Sequence, residues 1–320
     1  MSEQLLVGVD IGGTKVAAGL VNGAGEIVGR SRTPMVANRD AAAGLGAVLQ
    51  AIEELLAGAA SSGNVAGIGI CSPGPLNPKT GVVINPPNLP CWRDFPLAAE
   101  VGKALRVPVT VDNDANAAAL AEVLWGAGLG YENVFYATVG TGIGTGIVFD
   151  GQIYHGRTGA AGEGGHMGLE QKGPLCPCGK RGCVEFLASG PAIARRARAK
   201  LESRAPSLLL ELAGGQVADV TSEMVGKASA AGDPLAREVI EETLDVLAYW
   251  LGNIVDLLEP DVIIMGGGVS SMLAPLLDDI RRRFLGAVLN PWPDQIKVVL
   301  ARYGGEAGIA GAAALCRTAA

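Results

Sequence analysis

At 320 residues, of which 49% are hydrophobic and 18% charged, the chain is long enough for two cores and too apolar for extensive disorder. Its formal net charge of -7 gives nucleic acid or an anionic membrane little to attract, so a small-molecule partner is expected. Residues 1–4 are polar, Asp10 breaks the next apolar stretch, and no apolar run reaches the roughly 18 residues of a bilayer span. This predicts a cytoplasmic protein with reduced thiols, no signal peptide and no membrane partner.

Residues 5–9 and 16–21 read as β-strands joined by Asp10-Ile11-Gly12-Gly13-Thr14-Lys15, and Asn22-Gly23 turns the chain into a third strand over 27–33. A helix over 41–56, a buried strand over 65–71 and a proline-rich excursion over 72–96 follow. After a helix at 97–105 and a strand at 108–111, Asp112-Asn113-Asp114-Ala115-Asn116 stands at the start of an alanine-rich helix reaching Trp125. Carboxylates and amides suit the free N–H groups there. The opening meander then recurs as strand 133–139, Gly140-Thr141-Gly142, strand 143–149, the turn Asp150-Gly151 and strand 152–155. Asp233 and Pro234 open a long helix. Its residues Ile240, Leu244, Leu247, Leu251, Ile254 and Leu258 step by four and three along one face. A strand over 262–265 ends in Gly266-Gly267-Gly268, and a last helix begins after Gly304-Gly305-Glu306. Strand, glycine loop and helix in two related halves predict an α/β architecture.

The glycines of the first loop let backbone N–H groups approach a phosphate, Thr14 adds a hydroxyl donor, and Asp10 is placed to hold magnesium. Neither a Walker loop nor a dinucleotide fingerprint is present. The second loop, Gly140-Thr141-Gly142, sits at the matching point of the second meander, so the pair can grip a polyphosphate. Cys176, Cys178 and Cys183, with His166 ahead of them, form a Cys₃His set. That set suits tetrahedral zinc with no open position, a structural site. His155 has no cysteine partner and reads as a polar strand-end residue, whereas Cys71, Cys91 and Cys316 read as buried small hydrophobes. A hydroxyl attacking phosphorus needs a carboxylate to take its proton. Asp112 and Asp114 both qualify on position alone.

The paired loops resemble the two phosphate loops of the actin-like sugar kinases, and Gly266-Gly267-Gly268 resembles their adenosine loop. Gly162-Glu163-Gly164-Gly165-His166-Met167-Gly168 followed by Cys176-Pro177-Cys178-Gly179-Lys180-Arg181-Gly182-Cys183-Val184-Glu185 resembles the ROK family, which groups sugar kinases with sugar-responsive repressors. The resemblance runs over residues 5–314.

It implies a two-lobed actin-like ATPase fold, a duplicated ribonuclease H-like α/β architecture. The small lobe would comprise 1–112 completed by a helix at 306–320, and the large lobe 113–305 with an inserted zinc loop at 166–183. It also implies ATP-dependent phosphorylation of glucose at its 6-hydroxyl, with fructose, mannose or N-acetylmannosamine as alternative sugars. The family's Asn-Asp pair maps onto Asn113-Asp114, which makes Asp114 the general base. Sugar contacts fall to Gly74, Asn113, Asp114, Glu163, His166 and Glu185, so His166 would serve both zinc and sugar. Magnesium-ATP would meet Asp10, Gly12, Gly13, Thr14, Lys15, Gly140, Thr141, Gly142, Gly266, Gly267 and Gly268. Pro75 stands where some relatives carry arginine, which disfavours acylated amino sugars. A homo-oligomer, dimer or tetramer, is a further expectation from the resemblance. The family's repressors carry a DNA-binding domain ahead of the first meander; with nine residues before Asp10 and a negative charge, a kinase is expected here.

Overall fold

A computed structural model describes residues 4–58, 65–203 and 207–317. The chain opens with a meander of β1 (Leu5–Ile11), β2 (Lys15–Val21) and β3 (Ile27–Pro34). Burial is near-continuous along β1 and β2 and alternates along β3, as expected of two central strands and an edge strand with one wet face. The Asn22 carboxamide oxygen closes the β2–β3 turn by accepting the N–H groups of Ala24 and Glu26 at 3.1 and 2.9 Å. Helix α1 (Ala41–Gly58) follows, then β4 (Val65–Ser72), a short ribbon of β5 (Leu76–Asn77) and β6 (Val82–Val83), α2 (Leu97–Leu105) and β7 (Val109–Asn113). Helix α3 (Asp114–Trp125) starts on the residue after β7.

The second half repeats the plan. It runs β8 (Asn133–Val139), β9 (Ile143–Phe149), β10 (Gln152–Ile153), α4 (Val184–Ala188), α5 (Gly190–Ser203), α6 (Leu208–Leu212), α7 (Ser222–Ala230), α8 (Pro234–Leu258), β11 (Val262–Gly266), α9 (Gly267–Met272), α10 (Leu277–Leu285), β12 (Lys297–Leu300) and α11 (Ala307–Leu315). One sheet has the order β3-β2-β1-β4-β7 and the other β10-β9-β8-β11-β12, with β1, β4 and β7 parallel in the first and β11 and β12 parallel in the second. The repeat read in the sequence is therefore an architectural duplication. Among the described residues, no helix is long and apolar enough to cross a membrane.

Contacts group the chain into two compact units, one of Met1–Val134, Gly146–Gly162 and Gly305–Ala320, the other of Phe135–Thr145 and Glu163–Gly304. Residues 113–134 and 146–162, expected in the second lobe, group with the first unit, where α3 packs on α11 and β10 lies against α3. Residues 1–3, 59–64 and 318–320 of the expected small lobe lie outside the described residues.

In the first unit, alternate residues of β1 feed two cores. Leu5, Val7, Val9 and Ile11 pack with Val48, Ile52 and Trp92, whereas Leu6 packs with Ile309 and Ala313 of α11. The second of these cores is tight. A Cβ at Gly8 would stand 2.0 Å from the Ile309 carbonyl oxygen, and one at Gly69 would stand 1.6 Å from that of Ala312. Only glycine lets the α11 backbone come so near β1 and β4.

In the second unit, α8 buries Ile240, Leu244, Leu247, Leu251 and Ile254 along the expected face. Asp233 caps it, one carboxylate oxygen accepting the Ala236 N–H at 2.8 Å and the other that of Leu208 at 2.9 Å. Phe135 of β8 meets Trp250 of α8 edge to face at 5.8 Å.

Candidate active site

Three neighbouring strands of the first unit bring sequence-remote groups to one edge. In the parallel register, Asp10 of β1 stands beside Cys71 of β4, Cys71 beside Asp112 of β7, and Ser72 beside Asn113. All lie at or next to the carboxyl ends of their strands, where open α/β sheets place ligands. The first glycine hairpin leaves β1 at this edge, its turn closed by the Gly12 N–H donating to the Lys15 carbonyl at 2.9 Å. Thr14 and Lys15 are exposed. Burial pushes the Asp10 carboxyl above its usual range, while the Cys71 thiol, whose Sγ lies 3.5 Å from Oδ1, and the Lys15 charge pull it back down.

Asn113 is the N-cap of α3. Its side-chain oxygen accepts the N–H groups of Ala115 and Asn116 at 2.9 and 3.4 Å, and a Cβ at Gly74 would lie 3.8 Å from its Nδ2. Asp114 begins the helix, exposed, with Oδ1 2.8 Å from the Ala115 N–H. Asp112 differs. It is 3% exposed; Oδ1 accepts the Asn113 N–H at 2.7 Å and the Asn116 amide at 3.1 Å, and Oδ2 is 2.6 Å from His155 Nε2. Of the two carboxylates, Asp114 is the exposed one and Asp112 the buried one.

The second unit holds the other expected groups. Gly140 and Thr141 of the second hairpin line a cavity of about 480 Å³ together with Gly268, Arg198, Thr221 and Glu223. The hairpin and the Gly266-Gly267-Gly268 segment, far apart in sequence, therefore share one concavity. Gly266 ends β11, and Gly267 and Gly268 form the first turn of α9. Arg198, Thr221 and Glu223 carried no motif to reveal them. Glu185 accepts the Ile143 N–H at 2.8 Å, which ties the base of α4 to the second hairpin. Glu163 is exposed at the start of a turn over Gly164–His166, and the Gly164 N–H donates to the buried Thr145 hydroxyl at 3.0 Å.

His166, Cys176, Cys178 and Cys183 converge, their ligand atoms all within 4.8 Å of one another. Cys176 Sγ lies 3.8 Å from His166 Nδ1 and Cys178 Sγ lies 3.6 Å from Cys183 Sγ. Zinc bonded at about 2.3 Å to tetrahedral sulfurs needs ligand separations of about 3.8 Å, so the residues fit the ion. Nδ1 is the ring nitrogen turned to the cluster, which leaves Nε2 for another partner. The loop shapes the set locally, with the Cys176 N–H donating to the Lys180 carbonyl at 2.8 Å and the Gly179 N–H to that of Cys176 at 2.9 Å. Burial pushes the Cys183 thiol up to about 12, and a backbone N–H at Lys180 holds Cys178 below its ordinary value. Metal coordination deprotonates such thiols outright.

The chain has documented relatives along its whole length. The ROK family pattern matches residues 6–319. A glucokinase of Halalkalibacterium halodurans is 37% identical over 314 residues, 97% of this chain and 94% of that protein. Among solved structures, a ROK family glucokinase from Streptomyces griseus, in complex with glucose and AMPPNP, is 36% identical with a TM-score of 0.83, covering 98% of this chain and 99% of that one. A ROK hexokinase from Thermus thermophilus is 33% identical with a TM-score of 0.80, covering 98% and 97%. A duplicated meander sheet, two glycine hairpins and a Cys₃His loop lie along this same span, and the chain accordingly has the actin-like sugar-kinase fold and belongs to the ROK family.

Proposed function

We propose that this protein transfers the γ-phosphoryl group of ATP to the 6-hydroxyl of glucose, with Asp114 as general base. The observation that carries the reading is the strand register that sets Asp10 and the first hairpin at the same sheet edge as Asn113 and Asp114. A phosphate-gripping loop and a solvent-facing carboxylate at one edge are the two parts that phosphoryl transfer to an alcohol requires. The 36% identity to a glucokinase solved with glucose and AMPPNP supports both the sugar and the nucleotide.

In this reading Asp114 takes the proton of the 6-hydroxyl as its oxygen bonds to the γ-phosphorus and ADP leaves. Gly74, Asn113, Glu163, His166 and Glu185 orient the sugar through its hydroxyls. Gly12, Gly13, Thr14 and Lys15 meet the phosphates with Gly140, Thr141 and Gly142, and Gly266, Gly267 and Gly268 line the adenosine side. Magnesium, for which Asp10 is the anchoring residue, would supply charge neutralisation on the phosphates. Zinc in the Cys₃His set would be structural and would fix the His166 ring plane.

ADP release measured across a panel of hexoses and N-acetylhexosamines tests the reading, with the highest kcat/KM expected for glucose. A higher value for fructose, mannose or N-acetylmannosamine moves the substrate assignment. Absence of sugar-dependent ADP release from zinc-loaded protein refutes the kinase reading in favour of a sugar-sensing role.

A further inference from the structure

His155 lies outside the zinc cluster, and the proposed reaction gives it no task. Its imidazole nevertheless sits 2.6 Å from the Oδ2 atom of the buried Asp112. With Oδ1 already held by the Asn113 N–H and the Asn116 amide, this carboxylate is a fixed point from which two segments are set. One is the Asn113-Asp114 cap, bonded directly to it. The other is the loop after β10, because the His155 carbonyl accepts the N–H groups of Gly159 and Ala161 at 3.1 and 3.2 Å. That loop runs on to Gly162, immediately before Glu163.

We propose that His155 is a positioning residue for phosphoryl transfer, holding the Asn113-Asp114 cap in place through Asp112 and tying that cap to the loop that leads to Glu163. The proposal rests on the reading of Asp114 as the base. Its physical content is the alternative available to Asp112 once the imidazole is gone. Oδ2 then faces a cavity of about 190 Å³ that Lys79 and Gln152 also line, so water or the Lys79 ammonium becomes a competing partner and the carboxylate is free to turn. A displacement of about 1 Å at a reacting group costs up to about a hundredfold in rate. The first glycine hairpin makes no bond to His155, so nucleotide binding is spared.

The test compares His155→Leu and His155→Gln in the full chain, alone and combined with Asp114→Asn. His155→Leu is expected to lower kcat with glucose about tenfold or more, with the KM for ATP within about twofold of the parent. Glutamine, which can still donate to Asp112, is expected to restore kcat to within about threefold. In the Asp114→Asn background the leucine substitution is expected to change kcat less than about twofold, since the group it positions is no longer a base. Parent-like turnover in His155→Leu, or an equal loss in both backgrounds, overturns the proposal. Should the leucine variant fail to fold, His155→Asn, whose shorter amide does not reach Asp112, takes its place in the same comparison. Parent-like turnover in Asp114→Asn refutes the base assignment instead. His155 is then judged by the sugar alone: a raised glucose KM with unchanged ATP KM supports positioning through Asn113, and no change overturns it.

Discussion

Asp10 illustrates how a buried side chain with a proposed role in magnesium binding can work against stability. Burial raises its pKa, so between the ordinary aspartate value and the raised one the folded state binds more protons than the unfolded state, and stability falls as pH rises through that window. Asp10→Asn removes the buried charge. Its thermal midpoint is expected to exceed the parent's at pH 7, and the gap is expected to close as pH falls below the ordinary value of about 3.9. Turnover is expected to drop in the same variant. A midpoint at pH 7 below the parent's would contradict the argument. At this scale the sequence was only partly legible. Asp112 and Asp114 share a segment and a chemistry, and what separates them is a set of hydrogen bonds from Asn113, Asn116 and His155, the last 43 residues away. No local pattern announces that His155, read as a polar strand-end residue, meets a buried carboxylate.

Secondary elements with strong periodicity or cap residues were legible, and those without were not. The meanders, α1, α3 and α8 stand where glycine turns, Asn113 and Asp233 put them. By contrast, α5 mixes alanine with arginine along its length, and β12 is four residues long; neither supplies a period to read. Two elements carry predictions of their own. In the zinc loop, Cys178→Ala is expected to lower bound zinc from about one per chain to none, because one of four ligands is lost. His166 remains but its ring is no longer fixed, so the KM for glucose is expected to rise and kcat to fall while the KM for ATP holds. Metal analysis alongside steady-state kinetics checks this, and unchanged glucose kinetics in folded, zinc-free protein would reduce the metal to a staple of its loop. At the β4–α11 contact, Gly69→Ala would drive a methyl group into the Ala312 carbonyl. Urea unfolding is expected to show a loss at the upper end of the roughly 1–3 kcal/mol typical of overpacking. A loss within error of zero would mean that α11 yields.

Across the whole molecule the chain passes between its two compact units at residues 134–135, 145–146, 162–163 and 304–305, so neither unit is a contiguous segment. The first depends on α11, where Ile309 through Leu315 are all buried. A chain truncated after Glu306 is expected to lose the cooperative unfolding transition of the first unit, seen in the near-ultraviolet signal of the buried Trp92. It should still bind zinc through the cluster in the other unit. A parent-like transition in the truncated chain would contradict this account of the core. The same dependence has a consequence for biosynthesis. At typical rates of translation, the roughly 300 residues between β1 and α11 take about 15–60 s to add. Throughout that interval Leu6, Ala17 and Val21, the strand side of the second core, have emerged from the ribosome without the helix that covers them. The nascent chain is therefore most vulnerable to aggregation before α11 is made, and a chaperone that holds apolar strand faces is expected to affect yield more than any change in native stability.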